Sequence, residues 1–238
     1  MGDFLIPALI VFLAGFVQGL TGFGAGLVSI PLFALLMDIK VAVPIIILNG
    51  MVLLSIMLIK VWRDIDKSKI VPLVTGSAPG VFVGVYMLDS LNENGIRLLL
   101  AIVLITYSLY ALFVKELCMK VNEKFGYLVG FMSGVVGGIT SATGPPVVIY
   151  AAMQGWNGDK FRATLTGFFF VTCVFMVTAY VANGLVTEVT LKYFAVCAPF
   201  IAMGTLAGAR FYKSLNQETF RKMVYVLLLV MGGLMIPV

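Results

Sequence analysis

Residues 4 to 38 carry almost no charge, yet as one continuous helix they would run about 52 Å against about 30 Å of bilayer hydrocarbon. The segment must therefore break or fold back. Gly22, Gly24 and Gly26 supply the permissive backbone for that, with Thr21 and Ser29 beside them. Residues 126 to 154 repeat the problem, interrupted by Thr140-Ser141-Ala142-Thr143-Gly144-Pro145-Pro146. Proline early in a helix is well tolerated, so Gly144-Pro145 reads as a fresh helix start with Thr143 as its N-cap. With 61% of 238 residues apolar and 11% charged, one soluble core could not enclose the apolar surface, and the chain reads as an integral membrane protein. Its longest polar segments are about ten residues, so function must be built from embedded helices and short connections. Extramembrane enzymes and DNA-binding modules are excluded.

The two breaks sit at matching places in an internal repeat. Residues 15–31 lie over 130–146, matching Gly15 with Gly130, Gly19 with Gly134, Gly22 with Gly137 and Pro31 with Pro146. Further on, Gly80, Gly84, Ser90-Leu91-Asn92 and Arg97 match Gly204, Gly208, Ser214-Leu215-Asn216 and Arg221. Collinear matches argue for duplication. The expected fold is all-α and polytopic: an N-terminal repeat, 1–114, a cytoplasmic linker, 115–124, and a C-terminal repeat, 125–238. Each repeat should hold a broken or re-entrant pair of shorter segments followed by three full spans: 41–61, 70–88 and 96–114, then 161–182, 189–209 and 222–237. An odd number of crossings makes the repeats inverted.

The basic residues test this independently, because cytoplasmic loops retain Lys and Arg. Of the 16 in the chain, all but Lys40, Arg97 and Lys192 fall on one side, among them Lys115, Lys120, Arg162, Lys213 and Arg221. Asp89 and Glu93 flank the first Ser-Leu-Asn copy, where Lys213 and Gln217 flank the second. Both termini are thus predicted outside the cytoplasmic membrane, and the net charge of +5 reflects cytoplasmic loops rather than a nucleic-acid surface. Met1-Gly2-Asp3 has no basic leader, so no cleaved signal is expected. Cys118, Cys173 and Cys197 are too scattered for a metal set and read as structural.

Unpaired backbone groups inside a bilayer persist only where protein, water or a ligand satisfies them. A bound oxyanion would do so, accepting from N–H groups at two half-helix tips and from nearby hydroxyls without any cationic side chain. The residues expected to bind substrate are Gln18, Thr21, Gly22, Phe23, Gly24 and Gly26 at the first break, and Ser133, Thr140, Ser141, Thr143, Gly144 and Pro145 at the second. Asn49 in the next span and its counterpart Thr166 are expected at the same depth. Gly15 with Gly19, Gly80 with Gly84, and their counterparts are small-xxx-small pairs that bring helices together. The chain has no His, and every Asp and Glu falls in a loop or at a membrane edge. Neither a metal site, a cofactor nor an intramembrane protease is therefore expected.

The segment G-F-V-Q-G-L-T-G-F-G-A-G-L-V-S-I-P and its echo G-F-M-S-G-V-V-G-G-I-T-S-A-T-G-P-P resemble the TauE/SafE family of membrane proteins, over nearly the whole chain. That resemblance implies a substrate class, sulfite or organosulfonates, and favours export. The leading expectation is a secondary anion transporter, with the bilayer, a small anion and a second copy of the chain as its partners. An anion channel and a non-transporting membrane scaffold are the alternatives.

Overall fold

The computed structural model describes residues 2–114, 122–156, 158–212, 214 and 217–236. Ten α-helices account for nearly all of them: α1 (Gly2–Thr21), α2 (Ala25–Ala34), α3 (Ile39–Val61), α4 (Lys67–Ser90), α5 (Glu93–Phe113), α6 (Phe125–Thr140), α7 (Gly144–Met153), α8 (Gly158–Ala182), α9 (Glu188–Phe211) and α10 (Gln217–Leu234). No strand occurs among the described residues. Lys115, Cys118, Lys120, Lys213, Leu215 and Asn216, on which parts of the sequence reading fall, lie outside them, as does most of the 115–124 linker.

Local chemistry sets the helix starts. The Asp38 carboxylate accepts from the Lys40 amide at 2.7 Å, and Asn92 Oδ1 accepts from the Gly95 amide at 2.8 Å. Thr187 and Thr190 form a reciprocal capping box at the start of α9. Asp66 opens α4, accepting from the Ser68 amide and hydroxyl at 3.2 and 2.7 Å. The Ser68 hydrogen bond, with Lys69 close by, holds the Asp66 carboxyl below its ordinary value of 3.8. A carboxyl with a lowered folded-state pKa contributes stability above its unfolded value and loses it as pH falls through the folded one. Asp66→Ala should therefore cost about 1 kcal/mol at neutral pH, with the gap to the parent closing below pH 4 in thermal melts.

Among the described residues, six helices are long and apolar enough to cross a bilayer: Phe4–Thr21, Ile39–Asp64, Lys67–Ser90, Glu93–Phe113, Gly158–Ala182 and Glu188–Phe211. The chain is a multi-pass membrane protein. One detail departs from the sequence reading. The first member of the first broken pair is no shorter segment, since α1 has 20 residues and is long enough for a full crossing of about 30 Å. Only α2, with 10 residues, is a half-helix. Packing explains the difference: Gly15 and Gly19 press α1 against the Ile201 and Thr205 carbonyls of α9, keeping it helical to Thr21.

Glycine contacts also fix helix pairing. On α4, Gly76, Gly80 and Gly84 abut Tyr127, Phe131 and Val135 of α6 in turn, so these helices run parallel. Phe12 and Phe16 of α1 meet Gly204 and Gly208 of α9 in the same ascending order. The two pairs run oppositely. Arg162, near the start of α8, donates to the Gly19 carbonyl late in α1, while Thr164, half a turn on, accepts from the Asp66 amide just before α4. The end of α1 and the start of α4 thus share one end of the molecule. That end also holds Lys69, packed over Trp156 at 5.0 Å, and Arg221. At the other end Lys40 donates to the Asp89 carbonyl at 2.7 Å, and Arg97 pairs with Glu93 and donates to Ala34. Cys173 and Cys197 are free and buried in the helical core.

A central cavity between two helix breaks

After Thr21 the backbone enters the left-handed region twice, at Gly22 (φ 92°) and Gly24 (φ 104°). A side chain at either position would be strained. The Thr21 hydroxyl lies 2.8 Å from the Val17 carbonyl and 2.6 Å from that of Phe23, so its one proton is committed to the bend. Gln18 Oε1 accepts from the Ala25 amide at 2.9 Å and pins the start of α2. The first helical bond of α2 runs from the Val28 amide to Gly24 at 3.0 Å. Between them, the Gly26 and Leu27 amides have no acceptor among the described residues, and both residues line the cavity between the two breaks.

The second break follows the same plan with different chemistry. Thr140 ends α6, its hydroxyl donating to Val136 at 2.7 Å and accepting from the Ala142 amide at 3.2 Å. Ser141 turns the chain at φ 61°, the one non-glycine residue with positive φ among those described. Ser133 donates to the Thr143 carbonyl at 2.5 Å and pins the return, as Gln18 does in the first half. Thr143 occupies the N-cap position of α7 but makes no side-chain cap bond. Pro145 and Pro146 lack amide protons, so the tip of α7 offers fewer donors than the tip of α2.

The tips meet. Gly26 packs directly on the Ser141 carbonyl, so closely that a Cβ would overlap it, and the Ser141 hydroxyl reaches the Val43 carbonyl at 3.3 Å. A cavity of about 60 Å³ opens beside this contact. At about 10–15 Å³ per water on this measure, it has room for roughly four to six water-sized groups. Of the sequence-predicted residues, Gln18, Gly24, Gly26, Asn49, Ser141, Thr143 and Gly144 line it. Phe169, Cys173 and Met176 of α8 close the opposite wall, and no charged side chain reaches it. Asn49 is fully buried; its amide nitrogen donates to Ile45 at 2.8 Å while Oδ1 has no partner.

The other predicted residues are placed elsewhere. Thr166 is buried and its hydroxyl is spent on the Arg162 carbonyl of its own helix at 2.8 Å, so it does not share the cavity with Asn49. Gly22, Ser133, Thr140 and Pro145 shape the two bends without lining the cavity. Thr21 and Phe23 face a second, larger cavity of about 540 Å³ at the basic end of the molecule. Ser29, placed beside the first break but not among the expected binding residues, lines the cavity too, and sequence reasoning missed Gly50 and the α8 wall, which have no motif to mark them. It required no cation near the breaks, and the Arg162 side chain nevertheless packs on Gly22.

Fold and site together define a multi-pass helical membrane protein whose uncharged cavity, a few polar groups set in apolar walls, is enclosed by two facing helix breaks. The chain belongs to the sulfite exporter TauE/SafE family, whose family model matches residues 7–235. It is 25% identical over 180 residues to a probable sulfite/organosulfonate exporter TauE of Cupriavidus necator (strain H16), an alignment covering 74% of this chain and 70% of that protein. No solved structure matches it.

Proposed function

We propose that this protein is a secondary carrier that exports sulfite or small organosulfonates across the cytoplasmic membrane, holding the anion in the central cavity. The observation that carries the reading is the meeting of the α2 tip with the Ser141 turn around a neutral polar cavity, in a chain of an exporter family. The unpaired Gly26 and Leu27 amides and the Thr143 hydroxyl are donors for the oxyanion, and the Ser141 hydroxyl joins them by exchanging its long 3.3 Å bond to the Val43 carbonyl for the ligand. The positive end of the α2 dipole adds to them. Sulfite, with four heavy atoms, suits room for four to six water-sized groups; a longer sulfonate requires the cavity to widen.

Residues 1–114 and 125–238 form inverted halves in this reading. The opposed α1·α9 and α4·α6 pairs, each joining one half to the other, support it. The Arg-rich end, with Arg162, Arg210 and Arg221, is the cytoplasmic one by the excess of basic residues, which puts both termini outside. The inside-negative potential then drives the anion outward, while alternating access moves one half against the other.

The test is flux of labelled sulfite and taurine from proteoliposomes, in the parent and in Ser141→Gly. Glycine adopts φ 61° without strain, so the turn survives while the hydroxyl is lost. One charge-assisted hydrogen bond contributes about 1.5–3 kcal/mol, so KM for sulfite should rise about 10- to 100-fold with thermal stability unchanged. Absence of saturable flux in the parent would end the carrier reading. An unchanged KM in Ser141→Gly would remove this hydroxyl from the site.

A further inference from the structure

We propose that Arg162 and Arg221 form a second anion site, an antechamber that takes up the oxyanion before it passes the Gly22-Phe23-Gly24 bend into the central cavity. The inference rests on the transport reading for its purpose, but the site stands on its own geometry. The cavity of about 540 Å³ at the basic end is lined by Arg162, Arg221, Trp156, Tyr107, Tyr225 and Phe23. The bend separates the two spaces. Phe23 faces this one, while Gly24, next in the chain, faces the central cavity.

Both arginines have a structural duty that leaves a buried donor unused. Arg162 donates to the Gly19 carbonyl and stacks over the Tyr212 ring at 4.3 Å. Arg221 makes one long contact to the Thr21 carbonyl, at 3.5 Å. These contacts cap the negative end of α1. Each guanidinium carries five N–H groups, and the buried Nε of each has no hydrogen-bond partner. Buried donors are normally satisfied, and an orphaned one calls for a ligand or water.

The repeat supplies the contrast. Arg97, the counterpart of Arg221, is neutralised on its own helix by Glu93, at 3.0 and 2.7 Å, and donates to the Ala34 carbonyl at 2.9 Å. Gln217 stands where Arg221 would need that glutamate. Asp159, one turn before Arg162 on α8, makes no ion pair with it, and none of the four ion pairs among the described residues includes either arginine. Two guanidiniums without a direct ion pair, with Asp159 acting on Arg162 only from longer range, select an oxyanion in a partly dry cavity, because their planar forks match its oxygens.

Trp156 in the cavity wall reports occupancy directly. In a Trp62→Phe background, which leaves it the sole tryptophan, iodide quenching of Trp156 fluorescence should be reduced at least twofold by millimolar sulfite, beyond the effect of chloride at equal ionic strength. Arg221→Gln should abolish this protection, Arg221→Lys should retain part of it, and Ser141→Gly should leave it intact. Sulfite no more effective than chloride overturns the antechamber, and this arm decides the matter even where Arg221→Gln does not fold. Protection unaltered in Arg221→Gln overturns it equally. Protection without flux in the parent would leave the anion site standing and remove the carrier; flux without protection would do the reverse.

Discussion

Gly130→Val should cost this protein at least 3 kcal/mol of stability or prevent its folding, although it adds only apolar atoms to a membrane helix. A Cβ at Gly130 would overlap the Leu73 carbonyl oxygen and lie 2.8 Å from that carbonyl carbon and 3.0 Å from Leu73 Cα. Overpacking commonly costs about 1–3 kcal/mol when side chains can yield. Here the neighbour is backbone in a regular helix, which cannot move without separating α6 from α4. Close approach of small residues is what holds membrane helices together where lipid provides no hydrophobic drive. Gly233, with nothing within 4 Å of its would-be Cβ, is the control: Gly233→Ala should leave the melting temperature in detergent unchanged. A Gly130→Val protein melting within a few degrees of the parent would refute this account of the α4·α6 pair.

Gly26→Val should reduce sulfite flux more than 100-fold while most of the folding stability remains. Its Cβ would overlap the Ser141 carbonyl, where the two breaks touch. The branched side chain must push the α2 tip away, taking the unpaired Gly26 and Leu27 amides out of register with the Ser141 and Thr143 hydroxyls. Two lost charge-assisted hydrogen bonds at about 1.5–3 kcal/mol each exceed the 2.7 kcal/mol that a 100-fold change represents. Flux and thermal melting of the same preparation separate the effects. Wild-type flux in Gly26→Val would show that contact between the tips is irrelevant to transport. Thr21→Val is a weaker probe than sequence alone implies, since the Thr21 hydroxyl is already committed to the Val17 and Phe23 carbonyls.

Much of the architecture was legible because bilayer physics leaves few options. Uncharged stretches too long for one span forced breaks at Gly22–Gly26 and Thr140–Pro146, and the helices do break at Gly22–Gly24 and Ser141–Thr143. The matched positions Gln18 and Ser133, expected from sequence to bind substrate, both pin the chain after a break. Depth was harder to read. Asn49 and Thr166 are repeat counterparts and each bonds the carbonyl four residues earlier in its own helix, yet only Asn49 lines the cavity. Arg162 was counted only as a loop charge, for nothing in its local sequence announces that α8 will carry it onto Gly22.

The sequence by itself determined that the chain lives in a membrane, that it is helical and where its helices must break, since hydrocarbon thickness and glycine conformation act locally. Tertiary structure alone decided which carbonyls the hydroxyls bond, which break meets which, and that two arginines without a direct ion pair stand beside the first one. Those outcomes depend on how helices distant in sequence approach one another. That approach is fixed by close contact of small residues and backbone carbonyls, a property of paired surfaces that no single segment of the chain contains.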